Sequence, residues 1–328
     1  MAVIGSGMAG LSCATQLKAS GFEVQVYEKS YRASGRMSTR NTGGWSADHG
    51  AQYFTARDPL FIAELNTWEK AGVVAAWEPH LKVFQSNQWT ECSSEINRYV
   101  GIPGMGSIGQ YLAKNLLIEF NQTINLIDRL NGKWLLQSLE SGDLQRQFDW
   151  LILALPAPQA FALLDSIDPL NQVICTKAVM QGCWTVMVRF TQKPNIEFDA
   201  AFVNNEMISW ISRNNSKPGR VGQESWTIHA NPQWSQENIE MESAEATRLI
   251  LDCAKKLGLD CQHAEVSSHR WRYASGCIEP APESSLNTVT KLGLWAFHYR
   301  SDWLWLRSCS VWRHYTRRAI SQRNQSPN

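Results

Sequence analysis

The sequence predicts an α/β fold in which a Rossmann-like domain with a parallel sheet is interleaved with a mixed-sheet α+β domain. Three observations support this prediction: a strand–helix–strand unit in residues 2–28, a continuous apolar run at residues 150–155, and strand-like patterning between residues 165 and 270. No repeat, low-complexity tract or flexible linker separates the two parts. We therefore expect each domain to be built from alternating stretches of the chain.

The strand–helix–strand unit carries a glycine motif, G-x-G-x-x-G, in its first turn. Its residues are Gly5, Ser6, Gly7, Met8, Ala9 and Gly10. In such a motif the first glycine permits a tight turn, the second lets a pyrophosphate approach the backbone, and the third lets helix and strand pack closely. The helix N-terminus adds free N–H groups that favour a phosphate.

An acidic residue ends the second strand of the unit. Val24–Tyr27 is a β run, and Glu28 and Lys29 follow it directly. A carboxylate at this position can accept hydrogen bonds from both hydroxyls of an adenosine ribose. The glycine motif and Glu28 together predict that the first domain binds a dinucleotide.

The remaining elements define the expected domain boundaries. Asp58-Pro59 predicts a helix start, Trp150 to Leu155 a strand buried on both faces, and residues 246–257 an amphipathic helix. The cofactor-binding domain is expected to contain residues 1–58, 101–165 and 272–310. The substrate domain is expected to contain residues 59–100 and 166–271, and residues 311–328 to form a disordered tail.

Composition excludes several classes of protein. The 31 basic and 30 acidic residues nearly balance, which argues against a nucleic-acid partner. No apolar stretch approaches the roughly 20 residues of a membrane span, and no basic leader precedes the glycine motif, so we expect a cytoplasmic protein without a membrane partner. The eight cysteines show no metal-binding spacing and are expected to be reduced thiols without a bound metal.

Tryptophan is unusually frequent, with 15 residues in the chain. Such residues suit a large cavity for a flat ligand, because each offers an apolar ring with one N–H group. An aromatic-rich core explains the same count, and composition alone does not separate the two interpretations.

The segment Ser34-Gly35-Arg36-Met37-Ser38-Thr39-Arg40 resembles the G-G-R-x-x-T-x-R motif of the FAD-dependent amine oxidase and phytoene desaturase superfamily. Arg36 in this motif can pair with the second phosphate of FAD, which an NAD enzyme does not need. Ser34 stands where that family has its first glycine. The alternative for Arg36 and Arg40 is a solvated surface charge.

Longer segments resemble the renalase-like flavoproteins, in that family's order. They are the segment from Asp48 to Arg57, which reads D-H-G-A-Q-Y-F-T-A-R, the segments 98–105, 154–159 and 217–220, and His269 to Ala274. This resemblance extends from residue 3 to about residue 274. It implies a non-covalent FAD, a hydride taken from a small reduced substrate such as a dihydronicotinamide isomer of NAD(P)H, and O2 as electron acceptor.

The resemblance also implies site residues. Ala51 and Gln52 would contact the isoalloxazine, Ile124 the adenine end, and Asp302 the ribityl chain. The implied substrate-binding residues are Tyr53, Phe54, Thr55, Ala56, Arg57, Arg98, Tyr99, Val100, Cys183 and Trp184. The residue types are consistent with these implied roles, since aromatic side chains suit a flat substrate and arginines suit an anionic one. Core packing is the alternative for Tyr53, Phe54 and Trp184, and His269 is expected to be structural rather than a catalytic base.

The C-terminal end departs from that family. Ser301-Asp302-Trp303 stands where Gly-Asp-Trp is expected, and residues 304–328 match no part of the family's final helix. The tail is either a genuine divergence or the product of a frameshift. Two further functions therefore stay open beside a renalase-like oxidoreductase: an amine oxidase or desaturase, and a flavin-binding protein without catalytic activity.

Overall fold

The structure is a computed structural model that describes residues 1–42, 44–165, 167–176, 178–205, 207–278, 286–287 and 292–294. Its helices are α1 (Met8–Ala19), α2 (Pro59–Lys70), α3 (Gly106–Ala113), α4 (Ala157–Leu163), α5 (Pro169–Thr176), α6 (Pro232–Glu237) and α7 (Ser243–Lys256). Asp302 and the tail from residue 311 lie outside the described residues, as does most of the stretch 279–310.

A six-stranded sheet forms the core of the first domain, in the order β19-β20-β13-β1-β2-β9. Its strands are β1 (Ala2–Ile4), β2 (Gln25–Glu28), β9 (Leu117–Phe120), β13 (Leu151–Leu153), β19 (Leu286–Asn287) and β20 (Leu292–Leu294). All neighbours pair in parallel except β19 with β20. The apolar run before Pro156 is thus a central buried strand, as predicted, and the fold class is confirmed.

Smaller sheets complete this domain. The hairpin of β3 (Thr39–Thr42) and β4 (Trp45–Asp48) follows the first β-α-β unit. An antiparallel meander contains β10 (Ile124–Leu130), β11 (Lys133–Ser138) and β12 (Gly142–Phe148). The strands β5 (Val74–Trp77) and β8 (Arg98–Gly101) form a separate antiparallel pair.

The second domain is built on a seven-stranded mixed sheet in the order β18-β14-β17-β16-β15-β6-β7. Its strands are β6 (Leu81–Gln85), β7 (Gln88–Glu91), β14 (Ala178–Phe190), β15 (Ala200–Val203), β16 (Ile208–Arg213), β17 (Glu224–Ala230) and β18 (Glu265–Ile278). The apolar stripe of α7 packs on one face of this sheet in the largest hydrophobic cluster of the described residues. The other face meets the β3–β4 hairpin.

Two packing relationships differ from the predicted boundaries. Helix α2 begins at Pro59 with Asp58 as its N-cap, as predicted, but its residues Phe61, Leu65 and Trp68 pack against α1 and α3 of the first domain. The chain joins the second sheet only at β6. Strand β18 stays paired with β14 up to Ile278, beyond the expected boundary at residue 272. Sequence periodicity identifies elements but does not show which sheet an apolar face covers.

Within the described residues, no helix combines the length and apolarity needed to span a membrane.

Candidate functional site

The glycine turn between β1 and α1 has the geometry that its spacing predicts. Gly5 adopts a φ of 101°, in the left-handed region that favours glycine. A Cβ on Gly10 would overlap the Gly5 carbonyl oxygen, so helix and strand pack at a distance that only glycine allows. A Cβ on Gly7 would meet nothing within 4 Å, so the backbone is open on that side. The three glycines therefore play three different structural roles.

The helix N-terminus at this turn has free donors. Helix α1 begins at Met8, and no described residue accepts a hydrogen bond from the N–H groups of Met8, Ala9 or Gly10. The first N–H groups of a helix have no intrahelical partner and attract phosphate oxygens. Open space and free donors thus coincide at Gly7.

Glu28 lies at the carboxyl end of β2, beside the glycine turn, and is buried. Its Oε2 accepts hydrogen bonds from the Ser6 backbone N (2.7 Å) and hydroxyl (2.8 Å), and its Oε1 accepts one from the Ser30 N (2.9 Å). A carboxylate has about four acceptor positions, so capacity for ribose hydroxyls remains. Lys29 is exposed, and Ile124 packs beside Tyr27 close to this strand end.

The Ser34–Arg36 segment connects the glycine turn to a second turn at residues 48–52, named the 48–52 turn below. Ser34 forms a bridge with Gly7 and has a φ of 117°, with its hydroxyl donating to the Gly106 carbonyl (2.8 Å). The Arg36 carbonyl accepts the Ala51 N–H (2.9 Å). Glu28, Gly7, Arg36 and Ala51 thus follow one another along a continuous path between β2 and the second sheet. The Arg36 side chain is half-buried and donates to the Ala274 carbonyl (3.0 Å).

A buried ionic cluster supports the 48–52 turn. The Asp48 carboxylate accepts hydrogen bonds from Lys217 Nζ (3.2 Å) and Arg220 Nη2 (2.6 Å), and from Thr39 Oγ1 (2.7 Å) and Met105 N (2.9 Å). Burial alone would raise the pKa of Asp48, but the two cations hold that pKa below its usual range. Burial lowers the pKa of Lys217 to about 8, despite the attraction of Asp48.

Gln52 uses its whole amide group inside the protein. Its Nε2 donates to the carbonyls of Asp48 (2.6 Å) and Gly50 (3.1 Å), and its Oε1 accepts from Ser212 Oγ (2.7 Å) and Lys217 Nζ (3.0 Å). An amide has two donor hydrogens and two lone pairs, so each is already used. The side chain of Gln52 therefore fixes the turn, and a ligand there would meet the turn's backbone or apolar atoms.

An aromatic cluster follows the turn. The Tyr53 ring lies 5.6 Å from the ring of Trp210 and 6.2 Å from that of Trp77, and the Arg98 guanidinium lies 5.3 Å from its centroid. Arg98 is buried, donates to the Ile96 carbonyl and Ser94 hydroxyl, and has no carboxylate within ion-pair distance among the described residues. The cluster thus joins flat apolar rings to a buried cation.

The other predicted substrate residues of this region surround the cluster. Phe54 and Tyr99 exchange two backbone hydrogen bonds, and their rings stack at 5.9 Å. Val100 is fully buried in the same apolar cluster as Ala51. Thr55 and Ala56 are half-buried, whereas Arg57 is exposed.

Three histidines meet where the 48–52 turn packs on the second sheet: His49 belongs to the turn, His229 to β17 and His269 to β18. His49 stacks on Trp271 (5.0 Å) and meets His269 edge-on (4.9 Å), and His229 lies 3.4 Å from Gln52 Nε2. Burial, followed by the charges of His269 and Arg40, lowers the pKa of His49 to about 3. Burial also lowers the pKa values of His229 and His269 to about 4. All three are neutral at pH 7, which favours a structural role for them.

Cys183 and Trp184 are neighbours on β14 with different environments. Cys183 is half-buried, and burial raises its pKa to about 12, so it is a thiol rather than a nucleophile. Trp184 is 1% exposed, donates to the Asn238 carbonyl (3.0 Å) and packs in the core under α7. The expectation that Trp184 lines the substrate site is corrected, because alternate side chains of a strand point to opposite faces. The core alternative fits it instead.

Sequence reasoning did not identify Asp48, Lys217, Arg220, Trp77 or Trp210 as site residues. In the sequence, the segment 217–220 stands out only by its resemblance to the renalase-like flavoproteins. The sequence feature that could have identified them is the presence of two cations, Lys217 and Arg220, in the short loop between β16 and β17. Their burial against Asp48, about 170 residues earlier in the chain, is a tertiary property.

Comparison with known proteins supports the first domain directly. Residues 3–63 match the family model of the NAD(P)-binding Rossmann-like domain. A segment of 64 residues is 42% identical to 1-hydroxycarotenoid 3,4-desaturase from Flavobacterium sp. (strain P99-3), and it covers 20% of this chain and 13% of the desaturase.

Solved structures share the fold over almost the whole chain. A protein proposed to be a protoporphyrinogen oxidase from Exiguobacterium sp. 255-15 has a TM-score of 0.75 at 11% identity, with 98% of each chain covered. The CLA-producing fatty acid isomerase from P. acnes has a TM-score of 0.74 at 12% identity, covering 96% and 98%. Cyclohexylamine oxidase from Brevibacterium oxydans IH-35A has a TM-score of 0.70 at 12% identity, covering 96% and 98%. At these identities the similarity shows the fold.

Proposed function

We propose that this protein is an FAD-dependent oxidoreductase that takes a hydride from a small, negatively charged, reduced substrate and passes the electrons to O2. A flavin, when bound, accepts the hydride at its N5 atom and supplies the redox chemistry. The protein's own part is then to bind the two partners, orient them and exclude water.

The observation that supports this proposal most is the continuous path from Glu28 through Gly7 and Arg36 to Ala51. The open backbone at Gly7 and the free N–H groups of α1 fit a pyrophosphate, and Glu28 fits a ribose. Arg36 and the 48–52 turn continue the path beyond that pyrophosphate. This order of groups fits a dinucleotide whose ring system lies against Ala51, which is the arrangement expected for non-covalent FAD.

The charge of the site supports an anionic substrate. Arg98 lies against Tyr53 without a carboxylate partner among the described residues, and the Asp48 cluster carries one cation more than its single anion neutralises. A buried cation without a partner is costly, and an anionic ligand would offset that cost. A dihydronicotinamide isomer of NAD(P)H combines a flat ring with phosphates, so it fits the rings around Tyr53 and the charge of Arg98.

The second candidate is an amine oxidase, favoured by the shared fold of cyclohexylamine oxidase. A protonated amine would meet the positive charge of Arg98, which disfavours this reaction. The desaturase-like segment covers only 20% of this chain and 13% of the desaturase, so it does not bear on the substrate.

The first test is reduction of the bound cofactor. The purified protein, supplied with FAD, is expected to show a flavin spectrum, which dihydronicotinamide isomers should bleach under anaerobic conditions and O2 should restore. Cyclohexylamine and putrescine serve as cationic comparison donors and are expected to leave the spectrum unchanged.

Each other outcome contradicts part of the proposal. Bleaching by amines alone would favour the amine oxidase. Flavin that no donor reduces would favour a binding protein without catalytic activity. A protein that stays colourless with FAD would overturn all three functions.

A further inference from the structure

Lys217 is a lysine whose side chain is fully buried, in the loop between β16 and β17. It shares Asp48 with Arg220, whose side chain is 2% exposed. No other described carboxylate lies within ion-pair distance of either cation. The cluster therefore buries a surplus positive charge where the β3–β4 hairpin meets the second sheet.

Stability does not explain this surplus charge. The desolvation of a buried ion costs several kcal/mol, and attraction to a partner offsets it only in good geometry. Asp48 with Arg220 alone would form a neutral pair with the shorter of the two contacts. Burial lowers the pKa of Lys217 to about 8, which means that the charged form is less favoured here than in water. The desolvation cost of the buried Lys217 ammonium thus argues against a purely structural role.

What Lys217 does provide is a connection between the two ends of the 48–52 turn. Its Nζ donates to the Asp48 carboxylate at the start and to Gln52 Oε1 at the end. Gln52 in turn donates to the carbonyls of Asp48 and Gly50. Removing the ammonium would release Gln52 from one of its two acceptor contacts and leave the turn held to the second domain through Ser212, Arg220 and Thr227.

We propose that Lys217 is a positioning residue, which fixes the 48–52 turn through Gln52 so that the turn can receive the flavin ring. This inference rests on the proposed function for the identity of the ligand, but the ordering of the turn is independent of it. The groups facing Lys217 are Asp48 from β4, His229 from β17 and Arg220 from its own loop. The ring of Trp77 lies 5.5 Å away.

The test measures hydrogen exchange of the peptide covering residues 45–54 in the whole protein, together with the thermal midpoint and the affinity for FAD. The variant is Lys217→Met, which keeps much of the side-chain volume and removes the charge. The matched control is Lys82→Met, because Lys82 lies on β6 of the same sheet and pairs with Glu91 and Glu197 near the surface.

We expect Lys217→Met to leave the thermal midpoint unchanged or raised, because the Asp48–Arg220 pair stays neutral. Exchange in the 45–54 peptide should be about tenfold faster, the effect of losing one charged hydrogen bond. FAD affinity should fall by a similar factor. The control should change neither quantity. In the wild type, exchange corrected for its intrinsic rate should accelerate between pH 7 and pH 9, and in the variant it should not.

Unchanged exchange in Lys217→Met would overturn the positioning role, and so would a large loss of thermal stability in both Lys217→Met and Lys217→Gln, which would identify Lys217 as a structural residue. If Lys217→Met does not fold, the positioning role is tested with Lys217→Gln and with the pH series on the wild type, which needs no substitution. Failure of the wild type to bind FAD would overturn the proposed function, while the exchange result would still judge the role of Lys217.

Discussion

At the scale of single residues, Asp48 is the group on which the site depends most. Lys217 and Arg220 both use it as their counter-ion, and it also accepts hydrogen bonds from Thr39 and Met105. The amide of Asn has the same shape but no charge, so Asp48→Asn would leave two buried cations without an anion. Breaking a buried ion pair in this way costs about 3–5 kcal/mol. We expect a correspondingly large fall in the free energy of unfolding, measured by denaturant titration.

The control for Asp48→Asn is Asp252→Asn, which removes an exposed ion pair with Arg248 on α7. A surface ion pair contributes about 0–1 kcal/mol, so the free energy of unfolding of this variant should be close to that of the wild type. The double variant Asp48→Asn with Lys217→Met should recover part of the lost stability, because only one cation is left unpaired. Equal stability of the two single Asp variants would show that the cluster is not the charged network described above.

At the scale of elements, two glycines of the β1–α1 turn are expected to affect different properties: Gly10 the stability of the protein, and Gly7 its affinity for FAD. A methyl group on Gly10 would overlap the Gly5 carbonyl, whereas one on Gly7 would enter open space at an unstrained φ of −71°. We expect Gly10→Ala to destabilise the protein by about 1–3 kcal/mol, as overpacking does. Gly7→Ala should keep the thermal midpoint and weaken FAD binding at least tenfold, because the methyl group would occupy the place of the pyrophosphate. Calorimetric titration with FAD and a thermal melt check both variants.

Two further results would change the interpretation of this turn. Full FAD affinity in Gly7→Ala would mean that the open side of the turn does not face a ligand. A loss of stability in Gly7→Ala equal to that of Gly10→Ala would mean that the turn is sterically closed on both sides.

At the scale of the whole molecule, the limit of sequence prediction follows from the distance between interacting residues. The places of Gly5, Gly7, Gly10 and Glu28 in the fold are predictable because all four belong to one local β-α-β unit with a known spacing. The contacts of Asp48 with Lys217 and of Tyr53 with Trp210 join residues more than 150 positions apart. Trp184 shows the same limit, since residue type suggested a pocket wall and only the strand's packing reveals the core.

The tryptophan count is consistent with either a cavity or a core, and seven tryptophans of the described residues are buried in the core. Trp68, Trp134, Trp184 and Trp226 are fully buried structural residues. Trp77 and Trp210 lie around Tyr53, where they supply flat apolar surface. Trp77 and Trp210 are 3% and 6% exposed, so they too belong to the core, where their rings pack against Tyr53.

The histidines between the domains predict a pH dependence for the whole molecule. The pKa of His49 is about 3 and those of His229 and His269 about 4, against about 6.5 in the unfolded chain. As pH falls below 6.5 the unfolded state therefore binds protons that the folded state does not. Above pH 6.5 these histidines do not lower the free energy of unfolding. Below that pH the free energy of unfolding decreases toward pH 4, by up to about 1.4 kcal/mol per pH unit for each histidine. Thermal midpoints measured between pH 7 and pH 4 should fall accordingly.

His229→Gln should make this fall shallower, because glutamine cannot be protonated. The control is His80→Gln. His80 is an exposed histidine whose pKa is raised, first by its hydrogen bond to the Glu197 carbonyl and then by Glu91, so it does not contribute to the loss between pH 6 and pH 4. A wild-type midpoint that stays constant down to pH 4.5 would show that these histidines are hydrated and free to take up protons in the folded protein. In that case water, rather than packed side chains, would fill the space between the 48–52 turn and the second sheet.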